Sequence, residues 1–462
     1  MAILLVKDQM FIYESRTYYL NDMFTNEIFD KCNEIVNEYN SDLCIINEVF
    51  LNRIQPYKAV ETFLKDLDIN TIVLKRTNKK LISIVIDYAK NNNIKIIGVP
   101  LLYKFRKISL GHFNIITSTI FLLLKIFTVS HTQELKSNSK NISLIRTPAS
   151  EKKMSFLNNV DFRYEDFKHS NSIYKSFTRK NLFNLVIKSW LHAYNEIIKY
   201  VNFVRSKIGF YNSYDSYEFY SKRIVHTLLY SSIIDRFLSE NEGAKFYTGN
   251  NLDRYAIIEE NTAKKHNTTT VCIPHGLEYG FKLPHCFTGD VFYATSELAA
   301  SKLNHLYNTN KFLYDISVVN KMFSVESSES IEKIVFFTEP REIQVNYQII
   351  DVLLPFFENL DMKLSIKLHP KDDPKNYKQY KYRVDYLDDY SESVSNNICF
   401  SRKSTALLES IYNGSKSAAV LINNKDIEIF NTFPSLQDDM ILKFYNIIDL
   451  FNWIKSEWEK NK

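Results

Sequence analysis

Short apolar runs alternate with longer stretches of helical spacing in two separate parts of the chain. This alternation restricts the fold more than any other feature. In the first part, strands are predicted over 42–48 (DLCIINE), 70–75 (NTIVLK) and 94–99 (IKIIGV). The opening MAILLVKDQMFIYES is too short and too early-charged for a signal peptide and reads as a first strand. Residues 78–91 (NKKLISIVIDYAKN) have the spacing of a crossover helix, so the sheet they serve is expected to be parallel. Strands return at 244–248 (AKFYT), 269–274 (TTVCIP) and 291–295 (VFYAT). Between these groups, residues from about 150 to 240 read as helical, basic and rich in aromatics.

A Ser-rich, acidic break at 318–332 marks a linker, after which a second alternation begins. Strands are predicted at 333–338, 362–368, 397–400 and 417–422, with helices at 345–359 and 404–413. Residues 447–462 form an amphipathic helix carrying Trp453 and Trp458. The expected fold class is therefore α/β: two Rossmann-like domains facing across a cleft, with a helical insertion in the N-terminal half. The expected bounds are 1–315 (with a helical segment about 105–240), a linker at 316–332, a second domain at 333–446 and the terminal helix.

Composition removes several function classes. Only 9 Gly and 10 Pro occur in 462 residues, and no G-x-x-x-x-G-K-[ST], G-x-G-x-x-G or G-x-S-x-G motif is present. That argues against P-loop NTPases, standard dinucleotide dehydrogenases and common serine hydrolases. A net charge of +5 is too weak to imply nucleic acid, but suits an anionic small substrate or an anionic membrane face. The five Cys are scattered without C-x-x-C or metal-ligand spacing, which fits a reducing cytoplasm and no metal centre. Asp66-Leu-Asp68 reads as a solvated helix end.

Residues 115–129 (IITSTIFLLLKIFTV) are strongly apolar, yet too short and too interrupted by Lys125 to span a bilayer. They fit either a buried helix or one lying on the inner leaflet, with Lys104, Arg106 and Lys107 ahead of it.

In parallel α/β sheets ligands bind beyond the C-terminal strand ends, so the residues just after each strand are the informative ones. One strand ends in Lys367-Leu-His369-Pro370-Lys371, where Pro370 holds His369 extended at the sheet edge. Another ends in Ser401-Arg402-Lys403-Ser404-Thr405, hydroxyls and cations opening a helix whose amides suit a phosphate. A third ends in Pro274-His275-Gly276-Leu-Glu278, with two of the scarce glycines at 276 and 280. A fourth ends in Thr248-Gly249-Asn250-Asn251, followed by Asp253 and Arg254. Glu48 closes the predicted strand 42–48 and, like Glu278 or His275, is a candidate base for an acceptor hydroxyl.

His-Gly in one domain, then K-L-H-P, then S-x-x-S-T-A-L-L-E with a later Gly, resembles bacterial surface-polysaccharide glycosyltransferases of GT-B architecture. The nearest types are sialyltransferases and polysialyltransferases that use CMP-sugars, and the capsule Kdo-transferases. The resemblance covers about 245–300 and 333–422. It implies that His369 contacts the CMP phosphate and assists its departure, and that Ser404 and Thr405 hold that phosphate. The acidic pair followed by Gly that such sialyltransferases carry has no clean match. Asn47-Glu48-Val49 lacks the glycine, and Glu240-Asn-Glu242-Gly243 precedes a strand. Teichoic-acid polymerases share the H-G and K-L-H-P motifs, but show D-Y-S-S where this chain has Phe400-Ser401-Arg402-Lys403.

The expected function is an inverting, metal-independent transfer of an acidic sugar, sialic acid or a related nonulosonate or Kdo, from a CMP-sugar. The acceptor would be a glycan or lipid-linked glycan of a surface polysaccharide. Lys367, Arg402, Gly276, Gly249 and Asn250 would complete the donor site with Pro370 and Ser401. No cofactor is expected beyond the CMP-sugar substrate. The expected location is the cytoplasm, or the inner face of the cytoplasmic membrane. The alternatives are a CDP-polyol phosphotransferase, a sugar-nucleotide epimerase and a non-catalytic scaffold of a polysaccharide assembly complex.

Overall fold

The computed structural model describes residues 3–8, 10–36, 43–77, 79–100, 103–325, 333–340 and 342–460. Its contacts divide the chain into two compact units, Met1–His275 with Phe281–Phe292, and Gly276–Gly280 with Tyr293–Lys462.

The first unit holds two sheets rather than the expected one. The first sheet comprises β1 (Ile3–Asp8), β2 (Met10–Tyr13), β3 (Arg16–Tyr19), β4 (Thr71–Thr77) and β5 (Lys95–Ile97), in the order β3-β2-β1-β4-β5. Helix Lys79–Asn91 is the expected crossover between the parallel pair β4 and β5. The strand expected at 42–48 is corrected. Residue 42 lies outside the described residues, and Ile46–Val49 starts a helix that runs through a π-turn at Phe50–Ile54 into Gln55–Lys65. Its buried Ile46, Val49, Phe50, Ile54, Tyr57, Val60 and Leu64 recur every three or four residues. A short apolar window cannot distinguish such a buried helix from a strand.

Within this unit the second sheet contains β6 (Asn141–Ile145), β7 (Val160–Tyr164), β8 (Lys245–Thr248), β9 (Thr269–Cys272) and β10 (Val291–Tyr293). Every pairing is parallel, in the order β10-β9-β8-β6-β7. β6 and β7 correct the helical segment expected over about 105–240. Polar Ser143, Asp161 and Arg163 interrupt their apolar pattern, which conceals them in the sequence. Helix Tyr103–Phe127 precedes these strands, and the remaining long helices, Arg179–Lys207, Phe210–Ser221 and Ile224–Glu240, follow β7. Counted in chain order the sheet reads 2-1-3-4-5, a doubly wound arrangement whose switch point lies between β6 and β8.

The second unit contains β11 (Phe312–Leu313), then β12 (Ile334–Phe337), β13 (Leu364–Lys367), β14 (Asp385–Tyr386), β15 (Ile398–Ser401), β16 (Lys416–Val420) and β17 (Ile441–Phe444). The last six form an all-parallel sheet, β14-β13-β12-β15-β16-β17. In chain order this is 3-2-1-4-5-6, the dinucleotide-fold order, with its switch point between β12 and β15. Helix Ile316–Phe323 fills the first half of the expected linker, while 326–332 lies outside the described residues. The α/β class stands, with a Rossmann-like parallel sheet in each unit.

Phe336 and Phe400, stacked with centroids 5.0 Å apart, centre the second unit's core. Leu353 and Leu450, from helices Ile343–Asn359 and Ile447–Lys460, belong to the same cluster. Phe336→Ala leaves a cavity under the switch point and is expected to lower stability by about 3–5 kcal/mol, read by denaturant unfolding.

Candidate functional site

In the second unit, β12, β13 and β15 release their chains side by side. Thr338, just after β12, is the hinge between them. Its hydroxyl accepts the His369 N–H at 3.0 Å and donates to Asp372. Asp372 also accepts from Tyr377. Asn346 donates to the Tyr377 hydroxyl at 2.8 Å.

His369 is half-buried at the edge, and its Nδ1 accepts the backbone N–H of Lys371 at 3.1 Å. A backbone amide can only donate, so Nδ1 carries the lone pair and the neutral ring holds its proton on Nε2. The ring is thereby a donor at Nε2, the form that suits an oxyanion. Ser404 accepts the Ala406 N–H at 3.3 Å, and exposed Thr405 precedes helix Ala406–Tyr412 without a side-chain cap bond. Pro370 is exposed beside them.

Three other expected donor-site residues are engaged internally. Ser401 is fully buried and donates to the Phe337 carbonyl at 2.9 Å. Lys367 turns to the carbonyls of Leu387 and Asp388. Arg402 has no exposed surface. It grips Asp426 through two bonds of 2.6 and 2.9 Å and reaches Glu342 at 2.9 Å. Burial pushes the Asp426 carboxyl up, but Arg402 and Lys403 outweigh it and hold it below the usual range. The side chain that sequence position suggested would steer a phosphate is thus an internal brace. Arg402→Ala strands a buried carboxylate with only Lys403 as ion partner. It is expected to cost about 3 kcal/mol in denaturant unfolding, whereas His369→Ala leaves the unfolding midpoint nearly unchanged.

Gly276 and Glu278 belong to the second unit as well. A Cβ on Gly276 would meet nothing within 4 Å, so packing does not demand glycine there. Glu278 is fully buried and accepts from the Thr295 amide and hydroxyl, both at 2.8 Å, and from Ser435 at 3.0 Å. Its carboxylate anchors the 276–280 loop, and burial raises its pKa.

The first unit presents the edge after β6, β7, β8 and β9. His275 is exposed, and its Nδ1 donates to the Gly249 carbonyl at 2.6 Å. A carbonyl can only accept, so here Nδ1 holds a proton, and in the neutral ring Nε2 carries the lone pair. The two histidines are thus fixed in opposite tautomers, one as acceptor and one as donor. Gly249 is required by packing, since a Cβ there would lie 2.5 Å from that of Ser150. Asn250 is buried and donates to Glu259 at 2.8 Å. Glu48, on its helix rather than a strand, pairs with Arg254 at 2.8 Å and accepts that residue's N–H at 3.2 Å.

Three residues at this edge escaped the sequence reading. Arg146 follows β6 at the switch point, with its guanidinium 3.2 Å from the Tyr255 ring centroid and bonds to Asn250 and Asp253 at 3.5 Å. Glu165 follows β7 and accepts from Tyr174 at 3.0 Å. His226 Nε2 meets Glu165 at 2.6 Å, and its Nδ1 meets the Tyr255 hydroxyl at 2.9 Å. Burial pushes Glu165 up, but His226 and Arg146 bring it below its ordinary value. The strand-end rule would have found Arg146 and Glu165 had β6 and β7 been recognised. His226 arrives on a helix some 60 residues away from Glu165 in sequence, and no local signal marks it. Among the described residues no three His, Cys, Asp or Glu side chains converge as metal ligands would.

Beneath this edge Glu259 accepts from Thr248 at 2.6 Å, from Asn250 and from Tyr230. Burial pushes its carboxyl up to about 7. The folded protein therefore holds a proton there that the unfolded chain releases nearer its ordinary 4.5. Stability contributed at this residue falls as pH rises between about 4.5 and about 7, at up to about 1.4 kcal/mol for each pH unit. Subtracting the pH–stability curve of Glu259→Gln from that of the wild type is expected to isolate this downward slope.

No known protein family matches the sequence, and no curated protein matches it. Among solved structures the chain is similar to a UDP-GlcNAc 2-epimerase of Methanocaldococcus jannaschii, determined in complex with UDP-GlcNAc and UDP. That likeness has 11% identity and a TM-score of 0.36, over 68% of this chain and 92% of that one. At this level it does not extend to activity.

Proposed function

We propose that the chain is a metal-independent, inverting glycosyltransferase that moves an acidic sugar from a CMP-sugar to a glycan hydroxyl of a surface polysaccharide. The observation that carries this reading is the pair of opposite histidine tautomers at two parallel-sheet edges. In the transfer, the bond between the anomeric carbon and the phosphate oxygen breaks, and its electron pair leaves with CMP. The acceptor oxygen bonds the anomeric carbon from the opposite face, and its proton passes to a base. His369 Nε2–H is the group suited to the charge growing on the departing phosphate. The hydroxyls of Ser404 and Thr405 lie on the same edge as further donors.

His275 Nε2 is the better-suited base, because its lone pair is exposed while Nδ1 is anchored. Glu48 is tied into an ion pair and Glu278 is buried, so neither carboxylate is as well placed. The choice of CMP rests on the K-L-H-P and Ser/Thr motifs.

Calorimetric titration with CMP, CDP and UDP tests the reading. CMP is expected to bind best, and His369→Ala to weaken it about tenfold, the range for a charge-assisted hydrogen bond. His275→Ala is expected to keep CMP affinity and lower kcat about 100-fold or more. CDP preference would favour polyol-phosphate transfer and UDP preference an epimerase. Absence of nucleotide binding would leave a scaffold.

A further inference from the structure

Helix Tyr103–Phe127 in the first unit corrects the expectation of a stretch too short to span: Ile108–Phe127 is 20 residues long and apolar enough, by length and composition, to cross a membrane. Only a third of its most apolar 18-residue window is buried. Its inner face is bound to the unit through polar and close contacts. Asn114 donates to Ser221 at 3.3 Å, Ser118 to the Lys222 carbonyl at 3.0 Å, and Gly111 lies against Tyr217. Its outer face exposes Phe113, Ile116, Ile120, Phe121, Leu124 and Phe127, each 45–66% open. At 100° per residue these six occupy an arc of about 140°.

The neighbouring helix, Arg179–Lys207, repeats the pattern. Phe183, Leu191 and Ile198 are 45–60% exposed on one face, with half-buried Ile187, Trp190 and Tyr194 between them. The two helices pack on each other.

Charge says what covers this surface. By sequence the first helix carries four basic residues and no acid, and the second carries six against the single acid Glu196. Together they hold +9 of a chain whose net charge is +5, so the remainder is at −4. A second copy docking through the same face would set +9 against +9, which disfavours a symmetric dimer. Apolar side chains flanked by lysines, with almost no acids, are the composition of a helix lying in an anionic bilayer interface.

We propose that these two helices together form a docking surface for an anionic membrane, seated parallel to the bilayer with Phe121, Leu124 and Leu191 in the acyl boundary. Exposed Lys188 and Lys199 would meet the lipid headgroups. The proposal stands apart from the choice of donor nucleotide.

Vesicle flotation tests it. The wild type is expected to float with phosphatidylcholine vesicles containing about one-third phosphatidylglycerol, and roughly tenfold less with phosphatidylcholine alone. Raised salt is expected to weaken the binding. Phe121→Glu with Leu124→Glu, and separately Leu191→Glu, are each expected to cut flotation roughly tenfold or more. Circular dichroism melts of these variants should match the wild type, because the side chains are exposed. Lys188→Glu with Lys199→Glu reverses two charges, taking the two helices from +9 to +5 and breaking the Lys199–Glu196 ion pair, and should weaken the preference for anionic lipid. Failure of the wild type to float with anionic vesicles overturns the proposal. So does binding that all these variants leave intact, or a wild-type dimer in sedimentation that Leu191→Glu dissociates.

Discussion

A guanidinium with no exposed surface holds the C-terminal edge of the second unit together. Arg402 follows β15 at the switch point and ties that strand end to Asp426 and Glu342. Through Asn346 and Tyr377 the same network reaches Asp372, and through Asp372 it reaches Thr338, which accepts the His369 amide. A buried cation is tolerable only when its charge and its N–H groups find partners. Three strand ends and two helices must therefore stay in register around it. The exposed chemistry of His369, Ser404 and Thr405 rests on this brace.

The first unit solves the same problem with an aromatic platform. Arg146 leaves β6 at the other switch point and lies over Tyr255, with Asp253, Asn250 and Glu165 supplying opposite charge or acceptors. Burial alone would pull this guanidinium down, but the Tyr255, Tyr230 and carboxylate fields outweigh it and raise it. His226, Glu165 and Tyr255 extend the network beside it. Both edges thus place an arginine in a supporting network and hold a histidine by its Nδ1. Anchoring Nδ1 to a carbonyl or to an amide chooses the opposite protonation at Nε2. Backbone geometry thereby assigns the chemical character of each ring.

The uneven charge of the molecule follows the same division between local and tertiary causes. The basic residues of helices Tyr103–Phe127 and Arg179–Lys207 are separated widely in sequence, and each helix looks like an ordinary amphipathic element. The two helices pack side by side, and both expose apolar side chains. A net charge of +5 averages that asymmetry away.

The sequence by itself determined the α/β class, most strands of the second unit and the positions of His275 and His369. Apolar runs of strand length, ended by a His and a Pro or Gly, depend only on local periodicity and backbone restriction. It could not determine β6 and β7, whose polar residues break the apolar pattern, or the helix at Ile46–Val49, whose short apolar window fits a strand as well as a buried helix. Only tertiary structure decided that Arg402, Ser401 and Glu278 face inward and that His226 meets Glu165. The direction of a polar side chain is set by partners distant in sequence, because a buried charge settles wherever its counter-charge and hydrogen bonds lie.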